Sequence, residues 1–365
     1  MEQRQKLRGG APIGKRGKIL FGHSYEEIIS MDNLLSAWQE FIKGKRNRAD
    51  AQEFGRELMA NLFELHGRLV NGLYRHGAYE AFTVHDPKTR RIHKAGVADR
   101  VLHCAIYRKL YPFFDRTFIE DSYSCRIGKG THKALNRYRD LARQVSKNHR
   151  KTAWVLKGDI RKFFASIDQD VLLAILSARI ADKRIVWLLK TIVRSFSSGQ
   201  AGKGLLLGNL TSQLFANVYL NEFDQFIKHH LRAKNYIRYA DDFVILSPDR
   251  GRLERLIPAV RKRLSSKLRL ELHPDKLELR AVASGIDFLG WVHFPHHRVI
   301  RSGVKARIVK TMSKGASPEK IASYLGHLKH GNTHNLFNQI RQTEQSARIL
   351  TRISKLSRIP ARISK

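Results

Sequence analysis

The stretch YIRYADDFVIL, residues 236–246, decides the fold. Two apolar runs flank the adjacent acids Asp241 and Asp242, the pattern of two strands joined by a tight hairpin with both carboxylates at its tip. A two-residue hairpin turn normally takes Asn-Gly or Asp-Gly, because positive φ is needed there. Asp-Asp is a poor turn, since the two charges repel and desolvate badly, but it is a good cation ligand. Taken alone, such a pair would read as a solvated surface turn, and the apolar flanks argue against that. Mg²⁺ favours oxygen ligands and is commonly bound by one or two carboxylates together with substrate phosphates.

A third acid has a similar setting. Trp154-Val155-Leu156 leads into Asp159 and reads as a buried strand with a carboxylate at its C-terminal end. Acids at strand ends are conspicuous here, because 68 Lys+Arg against 32 Asp+Glu leave a formal charge of +36. Such an excess requires a polyanionic partner. Two metal ions about 3.5–4 Å apart, held by such carboxylates, stabilise both the attacking and the leaving oxygen of a phosphoryl displacement. The 365 residues suggest two or three lobes at about 150 residues per domain, and 42% hydrophobic residues suffice for a core. No apolar run reaches membrane-spanning length and no apolar stretch follows the charged N-terminus, so a cytoplasmic location and no membrane partner are expected. Cys104 and Cys125, the two cysteines, offer neither a disulfide framework nor a cysteine zinc site.

Further along the chain, residues 1–22 carry six Lys/Arg and read as a basic arm. Leu58, Leu62, Leu65 and Leu69 recur at helical spacing, and residues 80–94 alternate around Asp86-Pro87 as a basic hairpin. A helix is expected over Asp99–Tyr111, another over 209–229 opened by Asn209 or Thr211, strands over 277–299, and basic helices beyond. The boundaries expected are a basic N-terminal extension over 1–48, a catalytic body over 49–290, and a helical region with a basic tail over 291–365.

Three blocks carry a family resemblance. KGDIRKFFASID (157–168), GLLLGNLTSQLFANVYLN (204–221) and YADDFVIL (239–246) resemble, in order, the motifs of reverse transcriptases related to group II intron enzymes. The resemblance implies an α+β right-hand polymerase with fingers, an antiparallel-sheet palm and a helical thumb, acting as an RNA-directed DNA polymerase. It implies that Asp159, Asp241 and Asp242 are catalytic and, with Ile160, hold two Mg²⁺ or Mn²⁺ ions, with dNTPs as substrates. Arg90, Lys94, Phe164, Leu207 and Gly208 fall at nucleotide-binding positions. Arg126, Lys129, Ser212, Gln213, Tyr239, Lys276, Leu289 and Gly290 fall at template and primer positions. Physical reading agrees for Phe164, whose ring would crowd a 2′-hydroxyl, and for the cations of the 80–94 hairpin, which would neutralise a triphosphate.

Relatives usually carry Pro-Gln-Gly and Ser-Pro in the middle block, where this chain has Leu206-Leu207-Gly208 and Ser212-Gln213. With Asn209, that pattern resembles the reverse transcriptases of diversity-generating retroelements. These copy a template-repeat RNA with misincorporation opposite adenines. The resemblance implies a structured template RNA, an RNA/cDNA hybrid and a small basic accessory variability protein, oligomeric in its own right, as partners. A compact group II intron-type or defence-associated enzyme is the alternative within the class. A non-catalytic RNA-binding protein would not require all three aspartates, and a metal-dependent nuclease would leave Phe164 and the 204–213 block without purpose. His327, His330 and His334 share a helical face, but Gly331-Asn332 interrupts it, and a zinc site is set aside.

Overall fold

The computed structural model describes residues 19–84 and 89–342. Most of the expected basic arm and the basic segment Arg348–Pro360 lie outside the described residues.

In chain order the first elements are α1 (Tyr25–Ile29), α2 (Met31–Phe41), α3 (Ala49–Arg56), α4 (Leu58–Val70), the antiparallel hairpin β1 (Glu80–Val84) and β2 (Arg90–Lys94), and α5 (Val97–Asp115). The middle adds α6 (Thr131–Val145), β3 (Trp154–Asp159), α7 (Phe163–Ser166), α8 (Gln169–Ser177), α9 (Lys183–Arg194), α10 (Leu210–Gln225), β4 (Tyr236–Tyr239) and β5 (Asp242–Ser247). Then come α11 (Arg250–Leu268), β6 (Glu278–Ala281), β7 (Ile286–Phe288), β8 (Trp291–His293), β9 (Arg298–Ile300), α12 (Ser302–Ser313) and α13 (Pro318–Leu328). One sheet has the order β4-β5-β3-β6, and a second is the antiparallel meander β7-β8-β9. No described helix is long and apolar enough to cross a membrane.

The chain divides into two compact units that interleave along the sequence: Met1–Gly130, Lys157–Phe243 and Arg255–Leu277 form one, and Thr131–Leu156, Val244–Glu254 and Glu278–Lys365 the other. In the first unit, α5 and α10 are buried over most of their lengths, apolar and polar residues alike. Val101, Leu102, Ala105, Ile106 and Leu110 of α5, and Tyr219, Leu220 and Phe223 of α10, are buried. α2 lies against α5, with Leu34 and Ala37 fully buried, so α1 and α2 are part of this core. Ser24 and Ser30 start α1 and α2 by accepting the Glu27 and Asn33 N–H groups. In the second unit, Val304, Ile308, Ile321, Leu328, Leu336 and Ile340 form a core, and helix resumes after Gly331-Asn332.

Two local devices bear on function. β7 and β8 are joined by Leu289-Gly290 with φ of 52° and 84°, both left-handed, which is the type I′ turn a two-residue hairpin favours. In β3, Gly158 faces Phe243 of β5, and a Cβ there would stand 2.4 Å from the Phe243 ring. Only glycine lets that ring lie across the strand. Gly158→Ala should therefore lower stability by about 1–3 kcal/mol through overpacking. Urea unfolding would read the loss, and adding Phe243→Leu in the same chain should recover most of it.

Candidate active site

The two expected catalytic segments meet in the first unit. β3 ends on Asp159 and its neighbour β5 begins on Asp242, with the bare Gly158 seated under the Phe243 ring between them. The connection from β4 to β5 is Ala240-Asp241, so Asp241 sits in the turn and Asp242 opens the strand. Ala240 has φ 53°, a left-handed conformation that costs a residue with a side chain and must be held by its surroundings.

Arg238 supplies that hold. Its side chain is 1% exposed, and its Nη1 donates to the Ala240 carbonyl at 3.1 Å. The same guanidinium donates through Nε and Nη2 to Asp224 at 2.7 Å each, to Ser122 Oγ at 3.0 Å and to Asn217 Oδ1 at 3.2 Å. Tyr236 Oη donates to Asp224 as well, at 2.7 Å. Sequence reading missed Arg238 and Asp224, because the alternation of a strand does not announce a buried ion pair whose partner lies on α10.

Above this turn, negative charge is crowded. Burial first, then Asp241 and Asp159, push the Asp242 carboxyl up to about 7, while Lys157 and Lys276 pull the other way. Lys276 Nζ donates to Asp159 Oδ2 at 2.9 Å, so this predicted primer-side residue lies at the carboxylates themselves. The His273 N–H donates to the Asp159 carbonyl, and the Ile160 backbone bridges to Leu272 while its side chain is buried. No group of three His, Cys, Asp or Glu among the described residues is arranged to hold a metal ion as it stands, with Asp159 turned to Lys276. The donor chemistry nonetheless fits a divalent cation, because the carboxylates that push Asp242 up would be relieved by one.

Other predicted residues fall as follows. Phe163 is buried at 2%, and Phe164 is left half-exposed. The Leu205 N–H donates to the Phe164 carbonyl at 2.8 Å, which ties the 204–213 block to α7. Leu206 is buried, Leu207 half-buried, and Gly208 exposed with φ 111°. Ser212 is buried on α10, with Gln213 and Tyr239 half-buried. Beneath the block, His103 Nδ1 meets Thr211 Oγ1 at 2.6 Å, and the Asn209 amide lies 3.4 Å from its Nε2. Burial and the neighbouring His76 pull His103 down to about 3, so it is a neutral strut. Arg90 lies in β2, and Lys94 pairs with Asp50 at 2.9 Å and Glu80 at 3.5 Å.

Two template-side candidates make bonds within their own loop. Arg126 is turned inward at 6% exposure, donating to Asp115 Oδ1 at 2.7 Å and to the Ile119 and Ser122 carbonyls. Lys129 donates to the Glu120 carbonyl at 2.9 Å and stands over the Tyr123 ring. Both are held to their loop by these nearby carbonyl and carboxylate acceptors. Leu289 and Gly290 belong to the second unit.

The crowding has a thermodynamic signature. An acid whose folded pKa is raised keeps its proton when the unfolded chain has released it, so stability falls as pH rises from about 4 to 7. Asp242→Asn should raise the melting temperature of the metal-free chain by a few degrees at pH 8, with the gain shrinking towards pH 4. Calorimetry across that range checks it.

Comparison with known proteins agrees with this geometry. A family model described as reverse transcriptase (RNA-dependent DNA polymerase) matches residues 84–293, more than half of the chain. Among curated proteins, YkfC of Escherichia coli is 28% identical over 302 residues, covering 70% of this chain and 76% of YkfC. Group II intron-encoded protein LtrA of Lactococcus lactis is 22% identical, over 71% of this chain and 42% of LtrA. A telomerase structure from Candida albicans aligns at 12% identity over 63% of this chain and 47% of that one, with a TM-score of 0.46, too low to bear on the fold. The chain belongs to the reverse transcriptase family, an α+β right-hand polymerase acting as an RNA-directed DNA polymerase.

Proposed function

We propose that this polymerase copies a template-repeat RNA into error-prone, adenine-mutagenised cDNA for diversity-generating retrotransposition. The observation that carries the reading is Leu207, an aliphatic and partly exposed side chain on the segment bonded to Phe164, beside the exposed Gly208. A polar residue there could hydrogen-bond a template base or incoming nucleotide, and leucine cannot. The loss is about 1 kcal/mol of geometric selection.

Asp159, Asp241, Asp242 and the Ile160 carbonyl would hold two Mg²⁺ or Mn²⁺ ions, which when bound activate the primer 3′-hydroxyl and neutralise the leaving pyrophosphate. The chain's own groups do the rest. Phe164 crowds the 2′ position of the incoming dNTP. Arg90 and Lys94 of the β1–β2 hairpin meet its triphosphate, Lys94 exchanging a partly exposed ion pair that costs little to break. Lys276 keeps Asp159 in place, and Ser212, Gln213, Tyr239, Leu289 and Gly290 guide template and primer. The charge of +36 suits a structured template RNA, the RNA/cDNA hybrid and the accessory variability protein bound with them. Similarity to LtrA favours a second reading, a compact group II intron-type enzyme; sequencing the RNA that copurifies with the chain separates the two.

Leu207→Gln should lower misincorporation at template adenines about fivefold while other positions keep their error rate. Deep sequencing of the cDNA reads it, and an unaltered spectrum rejects the mutagenic reading without touching the polymerase assignment. Phe164→Ala should admit ribonucleotides, scored by primer extension with rNTPs; continued rNTP exclusion removes Phe164 as the gate.

A further inference from the structure

The second unit contains a cavity of about 270 Å³ between α6 and the β8–β9 hairpin, near the lower end of the size that holds small ligands. Four buried polar atoms without a hydrogen-bond partner among the described residues belong to side chains that line it: Tyr138 Oη, His149 Nε2, His293 Nε2 and Arg298 Nη1. Tyr138 is 1% exposed and His293 3%. A protein leaves few such groups unsatisfied, and four on side chains that line one cavity point to what it takes in.

Each atom states a requirement. Arg298 spends Nε on the His330 carbonyl and Nη2 on Asn136 Oδ1 at 3.3 Å, both neutral acceptors. No acidic side chain lines the cavity among the described residues. Burial and the neighbouring Arg139 push the guanidinium pKa down, the mark of a cation short of an anion. His293 bonds the Phe288 carbonyl, and burial pulls its imidazole down to about 3. The ring is therefore neutral, with one nitrogen serving Phe288 and a lone pair on Nε2 that needs an N–H or O–H donor. Tyr138 Oη can give or accept. Phe294 and His297 are stacked with centroids 5.0 Å apart at 16°, and add a flat aromatic wall.

We propose that this cavity binds a nucleotide, with its phosphate on Arg298 Nη1 and the N–H edge of its base on His293 Nε2 and Tyr138 Oη. The unit that holds it contains none of the three aspartates, so the site is separate from the polymerase reading. The nucleotide comes either free in solution or extruded from a bound RNA strand.

The full chain should be titrated with AMP, GMP, CMP and UMP, and with inorganic phosphate, in EDTA. Azido-adenosine monophosphate and a short thiouridine-bearing single-stranded RNA serve as photo-crosslinking probes. At least one nucleotide form should crosslink to peptides containing Tyr138 or the 293–298 segment. Tyr138→Phe deletes a hydroxyl with no partner, so it should leave the melting temperature unlowered yet weaken binding about threefold to tenfold. Arg298→Gln should weaken it tenfold or more. Mononucleotide binding with these losses assigns the free source. RNA crosslinking at the same peptides, reduced by Tyr138→Phe with mononucleotides inert, assigns the strand. Crosslinks only elsewhere, inorganic phosphate binding as tightly as every nucleotide, or affinities unchanged in a folded Tyr138→Phe chain would overturn the proposal.

Discussion

A guanidinium sealed from water sets the turn that carries Asp241 and Asp242. Arg238 places two N–H groups on Asp224 and another on the Ala240 carbonyl, and the acids follow from where that carbonyl is held. Bidentate arginine–carboxylate geometry is directional, so it fixes orientation as well as distance. A buried pair of this kind contributes little net stability over an apolar core, but losing one partner strands the other charge. Its value here is positional, because Ala240 is kept in a left-handed conformation that places Asp241 in the turn and Asp242 at the start of β5.

The electrostatics above and below the turn have opposite characters. Below it, every charge has a partner. Above it, Asp242 is pushed up by burial and two neighbouring carboxylates, with Lys157 and Lys276 in partial compensation. This is the frustration expected of a site that awaits positive charge, and it costs stability the core must offset. The second unit shows the inverse arrangement: among the side chains at its cavity, one nitrogen of the Arg298 guanidinium and one of each of two histidines have no partner among the described residues.

Basic residues proved the hardest to assign from sequence. On a chain of charge +36, a lysine or arginine in a loop reads naturally as a nucleic-acid contact. Arg126 and Lys129 are held by local acceptors, and Lys94 forms a partly exposed, exchangeable pairing with Asp50 and Glu80. Lys276, read as a primer-side residue, reaches Asp159 itself. A long flexible cation takes its partner from the fold, and the one-dimensional order of residues carries no record of which acid comes near.

What the sequence alone determined was whatever depends on neighbours along the chain. The strand character on both sides of Asp241-Asp242, the strand ending at Asp159, the β1–β2 hairpin and the leucine-spaced α4 all follow from local periodicity, and the structure has them. Only the tertiary structure decided that α1 and α2 belong to the core, that Gly158 is bare because the Phe243 ring lies over it, and that Arg238 is anchored by α10. The physical reason is range: periodicity and turn chemistry act over a few residues, whereas ion pairing and close packing join atoms that meet only when distant segments have been brought together.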